Sequence, residues 1–119
     1  MSGTFQDLRV WQKAMELVYR IYEATQVFPK HELYGLTNQI RRAAVSIASN
    51  IAEGKGRSSD KDLGLFLHHA RGSLFELQTQ LLIAEHLKYL TVKEAEEIRE
   101  LANEVGRLLS GFISFAAGA

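Results

Sequence analysis

The sequence predicts an all-α fold, an antiparallel up-down-up-down left-handed four-helix bundle. Three observations predict it. Apolar residues recur at alternating spacings of three and four in four separate segments, the breaks between them are short, and the 119 residues hold a single proline. A repeat averaging about 3.5 residues keeps one seam toward neighbouring helices and favours left-handed supercoiled packing. Four such segments on short loops make a bundle, and the length suits one domain over residues 1–119.

The first predicted helix spans about 7–26. Asp7 is its expected N-cap, because a carboxylate accepts the free N–H groups of a first turn. Leu8, Trp11, Met15, Val18 and Tyr22 form its main seam. Pro29 cannot continue the helix. The second helix is expected over about 31–53, with Leu33, Leu36, Ile40, Ala43 and Ile47 on its seam and Asn50 at the next seam position. Gly54 stands where a C-terminal cap favours positive φ. Ser59 or Asp60 caps the third helix, about 59–88, whose seam runs Leu63, Leu67, Ala70, Leu74, Leu77, Leu81 and Ala84. Thr91-Val92-Lys93-Glu94 fits a capping box and opens the fourth, about 91–115. Its seam is Ala95, Ile98, Ala102, Val105, Leu109, Phe112 and Ala116.

Two helices carry a second apolar stripe: Val10, Ala14, Leu17 and Ile21 on the first, and Phe75, Leu82 and Tyr89 on the third. A helix on a bundle surface needs one apolar face. The doubled stripes are therefore expected at an interface between subunits.

Composition excludes several classes of function. No cysteine is present, so there is no disulfide framework and no thiol chemistry. Fourteen Lys and Arg balance fourteen Asp and Glu, which excludes nucleic-acid binding by bulk charge but leaves room for a local patch. No segment reaches the roughly 18 apolar residues of a membrane span, and the N-terminus lacks the pattern of a signal peptide; a cytoplasmic protein with no membrane partner is expected.

Catalytic and metal motifs are missing. No Glu has a His three residues later, as di-iron bundles need. His68 and His69 point about 100° apart on a helix and make a poor chelate. Gly54-Lys55-Gly56-Arg57 follows a helix rather than a strand and is not a phosphate loop of the nucleotide-binding type. No catalytic residue, metal ligand or cofactor site is assigned.

Three groups remain. Asn50, Glu53 and Gly54 are expected in structural roles, with Asn50 and Glu53 bonding nearby backbone at the helix end. Arg41, Arg42, Lys55, Arg57 and Arg71 flank one break and are candidates for a basic cluster that contacts nucleic acid, or for solubility and intersubunit pairing. Residues 1–57 hold eight basic and five acidic side chains, and residues 58–119 hold six and nine. The acidic excess lies on the fourth helix at Glu94, Glu96, Glu97, Glu100 and Glu104. Its spacings to Arg99, Asn103 and Arg107 suggest a solvated outer face.

Several spaced motifs also carry a resemblance. Phe5-x-Asp7-Leu8-x-Val10-Trp11-Gln12-Lys13-Ala14 opens the chain. Tyr34-Gly35-Leu36, Gln39-x-Arg41-Arg42-Ala43-Ala44-x-Ser46-Ile47 and Asn50-Ile51-Ala52-Glu53-Gly54 follow. Phe66-Leu67, Ala70-x-Gly72-Ser73-x-x-Glu76-Leu77 and Leu87-x-Tyr89-Leu90 come later. Together, from Phe5 to about Leu108, they resemble the bacterial four-helix-bundle family of 23S rRNA-intervening-sequence proteins. The resemblance implies a cytoplasmic bundle that assembles as a ring, a homopentamer, with no established biochemistry. A related branch, the accessory variability determinant of diversity-generating retroelements, implies nucleic acid and a reverse transcriptase as partners of a basic surface. That points to Arg41 and Arg42, with Lys55 and Arg57 beyond them. The function expected is therefore a non-catalytic, oligomeric protein that binds RNA or DNA or serves as a scaffold. The alternatives are a protein-interaction adaptor with no affinity for nucleic acid, and a small-molecule site near Asn50 and Glu53.

Overall fold

The computed structural model describes residues 4–118. Four α-helices carry the fold: α1 Arg9–Thr25, α2 Leu36–Lys55, α3 Asp60–His86 and α4 Val92–Ala116. Two single 3₁₀ turns, Phe5–Asp7 and Lys30–Glu32, precede α1 and α2, and no strand occurs among the described residues.

The helix starts follow local chemistry. Ser59 Oγ accepts the Asp62 N–H at 3.1 Å at the start of α3, where Asp60 and Asp62 also suit the positive end of the helix dipole. Thr91 and Glu94 complete a reciprocal capping box, with bonds of 3.1 and 3.0 Å. α2 starts differently from expectation. Its cap position is Gly35, which has no side chain, and Oε1 of Glu32 reaches forward to accept the Leu36 N–H at 3.1 Å. The chain from His31 therefore turns once as a 3₁₀ segment before α2 begins. Asp7 likewise lies in the first 3₁₀ turn, and Leu8 stands at the cap of α1 without a side-chain bond.

Gly54 is not a C-cap. α2 runs through it to Lys55, and its backbone is not left-handed. It is glycine because α3 passes close by: a Cβ there meets Phe66 Cβ at 3.0 Å and Leu63 Cδ1 at 3.2 Å. α3 ends in a Schellman motif. The Tyr89 N–H reaches Ala84 O at 2.9 Å and the Lys88 N–H reaches Glu85 O at 3.0 Å, with Lys88 at φ 63°.

Successive helices are neighbours, and α1 closes the square against α4. Cross-helix pairs give the directions. Ser46 meets Ser73 while Gly54 meets Phe66, and Gln78 meets Asn103 while Glu85 meets Arg99. Arg9 meets Glu104 while Arg20 meets Glu97. In each case residue numbers rise along one helix as they fall along the next, so these pairs are antiparallel. The bundle measures 43 × 24 × 24 Å.

The core contains nearly the whole expected seams of α3 and α4, and Ile40, Ala43, Ile47 and Ile51 of α2. Fully burying such a side chain is worth about 1.5–3 kcal/mol. On α1 the expectation is largely reversed, with Val18 the one residue of the expected main seam that is buried. Val10, Ala14, Leu17 and Ile21 are 0–5% exposed in the single chain, so they are core and not a subunit interface. Leu8, Trp11 and Met15 lie half-buried on the flank and Tyr22 is exposed. The two rows are one residue apart, about 100° around the helix. Spacing alone does not say which row is central to so wide a stripe. Tyr89 is also engaged within the chain, its ring tilted against Phe28 with centroids 5.3 Å apart and its hydroxyl bonded to Glu32. Of the seven residues expected at an interface, Phe75 and Leu82 are exposed, at 58% and 62%.

Candidate nucleic-acid interface

The five candidate cations do not form one patch. Lys55 lies 13 residues beyond Arg42, about 20 Å along the axis, and Arg57 follows at the same far end of the bundle. Arg57 is occupied there, with its guanidinium 4.6 Å from the Phe66 ring centre and 3.7 Å from the Glu53 carboxylate. Glu53 thus makes a surface ion pair instead of the expected backbone bond. Arg71 sits in mid-α3, 3.2 Å from Nδ1 of His68, and faces the α4 side.

Arg41 and Arg42 remain adjacent at the start of α2, and their surroundings are organised. Thr25, 3% exposed at the end of α1, donates its hydroxyl to Ile21 O at 2.7 Å. Thr25 Oγ1 in turn accepts the Arg41 Nε–H at 2.9 Å. The Tyr22 ring lies beneath the guanidinium, 4.7 Å from centroid to Cζ, a cation–π contact. Neither contact neutralises the charge. Arg41 is therefore held by its Nε and one face, and neither it nor exposed Arg42 forms an ion pair among the described residues.

Both arginines line a surface groove of about 690 Å³ with Tyr22, Asn38, Gln39, Ser46 and Glu76. The groove offers two guanidinium groups and two amides that both donate and accept. Planar guanidinium forks match phosphate oxygens well. Thr25, Tyr22 and Glu76 carried no sequence signal for this site. They come from other helices and meet Arg41 or its groove only in the folded chain.

Two of the five acidic side chains on α4, Glu97 and Glu104, form ion pairs within the chain. Arg20 donates to Glu97 at 2.7 Å, and this bond holds the Glu97 carboxyl below its usual range. Glu104 meets Arg9 at 3.3 Å and Lys13 at 3.9 Å. Arg99 reaches across to Glu85 of α3 rather than along α4 to Glu96. The opposite charges of the chain's two halves thus meet at the α1–α4 seam.

Asn50 is engaged in hydrogen bonds within the chain. Its amide donates to Ser46 O at 2.9 Å and contacts Ser46 Oγ at 3.1 Å, and Ser46 Oγ meets Ser73 Oγ at 2.8 Å. The network joins α2 to α3. No group of three His, Asp or Glu side chains converges on a metal position among the described residues, and no helix there is long and apolar enough to cross a membrane.

This arrangement of four helices coincides with a known family pattern. Residues 6–111 match the model of the 23S rRNA-intervening sequence protein family. The chain belongs to that family. The chain is also similar to a crystal structure from Bacteroides thetaiotaomicron, described as a protein of unknown function from the S23 ribosomal protein family. The TM-score is 0.81 at 25% identity, over 88% of this chain and 95% of that one. No curated protein matches the chain.

Proposed function

We propose that this 23S rRNA-intervening sequence protein is a non-catalytic nucleic-acid-binding bundle that works as an oligomer, and that Arg41 and Arg42 are its phosphate contacts. The observation that carries this reading is the Arg41 guanidinium, held by Thr25 and Tyr22 and in no ion pair among the described residues, in a groove whose single carboxylate, Glu76, faces two arginines. A fork restrained before binding loses less entropy when it meets a phosphate. Two cations per subunit are few for a chain of zero net charge. Self-assembly repeats the pair around a symmetry axis and supplies avidity. A reverse transcriptase is the protein partner that the retroelement likeness suggests.

The test is fluorescence anisotropy with a labelled structured RNA and a DNA duplex, read at low and near-physiological salt. Two phosphate contacts predict that affinity falls only about tenfold between roughly 50 and 200 mM salt, and an oligomer that engages several subunits gives a steeper fall. The charge reversal Arg41→Glu with Arg42→Glu abolishes binding. Unchanged binding in that variant overturns the assignment. A second reading, a protein-interaction adaptor, is favoured by exposed Phe75 and Leu82, and absence of binding at low salt makes it the leading one.

A further inference from the structure

The groove of Arg41 and Arg42 holds opposite charges that do not meet. It lies across the outer face of α2, with Tyr22 of α1 in one wall and Glu76 of α3 in the other. Glu76 is its one carboxylate and forms no ion pair among the described residues. Arg41 is pinned on the α1 side by Thr25 and Tyr22. On the α3 side, Gln80 Nε2 donates to Oε2 of Glu76 at 3.4 Å. Gln80 is buried, and its own Oε1 has no hydrogen-bond partner among the described residues. An unsatisfied buried acceptor is costly, and the orientation that leaves it so turns the amide's donors toward Glu76. Each carboxylate oxygen has two lone-pair sites, so Glu76 keeps both oxygens able to accept from a ligand.

Phosphate binding by itself does not account for this carboxylate, which repels a phosphate chain. The groove suits a ligand that is anionic at one end and carries N–H donors at the other. Its two walls stand on either side of α2, about one helix diameter or 10–12 Å apart. That is the scale of one nucleotide from its phosphate to the pairing edge of its base. Between the walls, Val45 and Tyr22 offer apolar and aromatic surface. Guanine is the base that fits Glu76. Its pairing edge presents two adjacent donors, N1–H and the N2 amino group, which match the two oxygens of a carboxylate. Adenine, cytosine and uracil each place an acceptor beside their donor, and that acceptor meets the second oxygen unfavourably. In a duplex the same edge of guanine is spent on cytosine, so the base must be unpaired.

We infer that the groove reads an unpaired guanine in a single strand. Arg41 and Arg42 hold its phosphate, Glu76 accepts N1–H and the amino group, and Gln80 positions Glu76. This rests on the phosphate reading of Arg41 and Arg42 and adds to it the state of the strand and the identity of one base. Free guanosine monophosphate has the same chemistry, and competition separates it from the strand.

The experiment measures fluorescence anisotropy on the full chain with labelled oligouridine strands of about 12 nucleotides that differ at one central position. Guanosine there is expected to bind at least about tenfold more tightly than adenosine, cytidine or uridine, as a good bidentate base contact gives. Inosine, which keeps N1–H and lacks the amino group, is expected to fall between. Annealing to a complementary strand is expected to remove the preference. Glu76→Gln is expected to remove it as well and to raise affinity for the all-uridine strand, because a repelling charge is lost. The side chain is exposed, so the variant is expected to fold. Equal binding of all strands, lost in Arg41→Glu with Arg42→Glu, overturns the guanine reading and leaves the phosphate contacts standing. A guanine preference that survives Glu76→Gln or annealing also overturns it. Absence of binding by every strand at low salt overturns both readings. Guanosine monophosphate that competes as tightly as the guanosine strand binds assigns the groove to the free nucleotide and overturns the strand.

Discussion

Tyr89 donates its hydroxyl to Oε2 of Glu32 at 3.0 Å, while Oε1 of the same carboxylate accepts the first amide of α2, at Leu36. One side chain thus caps a helix and ties the α1–α2 turn to the α3–α4 turn at the same end of the bundle. Phe28 packs on the Tyr89 ring and closes the contact.

This tie gives stability a pH dependence. The Leu36 amide, then the Tyr89 hydroxyl, hold the Glu32 carboxyl below its ordinary 4.5. A depressed folded value favours folding above the unfolded value, and the contribution is lost as pH falls through the folded one. For Tyr89, burial and then Glu32 raise the phenol above its ordinary 10.0. Its contribution is present below that value and is lost as pH rises through the higher folded one. Urea unfolding across pH is expected to show a shallower acid limb in Glu32→Gln and a shallower alkaline limb in Tyr89→Phe. Both variants melt below the wild type, and the double variant loses less than the two singles combined, as expected for partners in one network.

Lys88 occupies the left-handed position of the Schellman motif that ends α3, at φ 63°. A side chain there costs about 1–2 kcal/mol, part of which glycine returns through its greater freedom in the unfolded chain. Lys88→Gly is expected to stabilise the protein by about 0.5–1 kcal/mol, measured by urea unfolding.

Glycines within helices separate by what surrounds them. A Cβ at Gly54 collides with α3, so Gly54→Ala is expected to cost about 1–3 kcal/mol. Nothing lies within 4 Å of a Cβ built at Gly64 or Gly72 in α3. Alanine at either is expected to raise stability by up to about 1 kcal/mol through helix propensity. Thermal unfolding of the three variants tests this contrast.

Thr25 positions Arg41 without carrying charge. Thr25→Val removes the Nε acceptor and leaves the guanidinium in place. The expected result is nucleic-acid affinity lowered about threefold, with the salt slope unchanged because the count of cationic contacts is unchanged. A change of slope, with affinity at low salt kept, argues against positioning by Thr25.

Parts of this molecule are legible residue by residue. Ser59 with Asp62, and Thr91 with Glu94, place the starts of α3 and α4, because a cap involves atoms three residues apart. The heptad spacing of Leu63 to Ala84 locates the core face of α3. Gly54 was misleading, since a glycine near a helix end reads as a C-cap and nothing nearby in sequence announces Phe66 and Leu63. Glu32 was equally silent, because its capping role needs the 3₁₀ turn that carries its carboxylate forward to Leu36. The five candidate cations read as neighbours because they flank one break. The length of α2 separates them, and Glu53, Phe66 and His68 engage two of them.

The sequence by itself determined four helices, their order, most of their ends and membership of the family, because each rests on interactions within one or two turns or on motifs in the chain. The tertiary structure alone decided which row of α1 faces inward, which arginines stay unpaired and which carboxylate shares their groove. Those outcomes depend on the rotation and spacing of whole helices about their axes. Side-chain packing between segments sets both, and an apolar period near 3.5 leaves them open by tens of degrees.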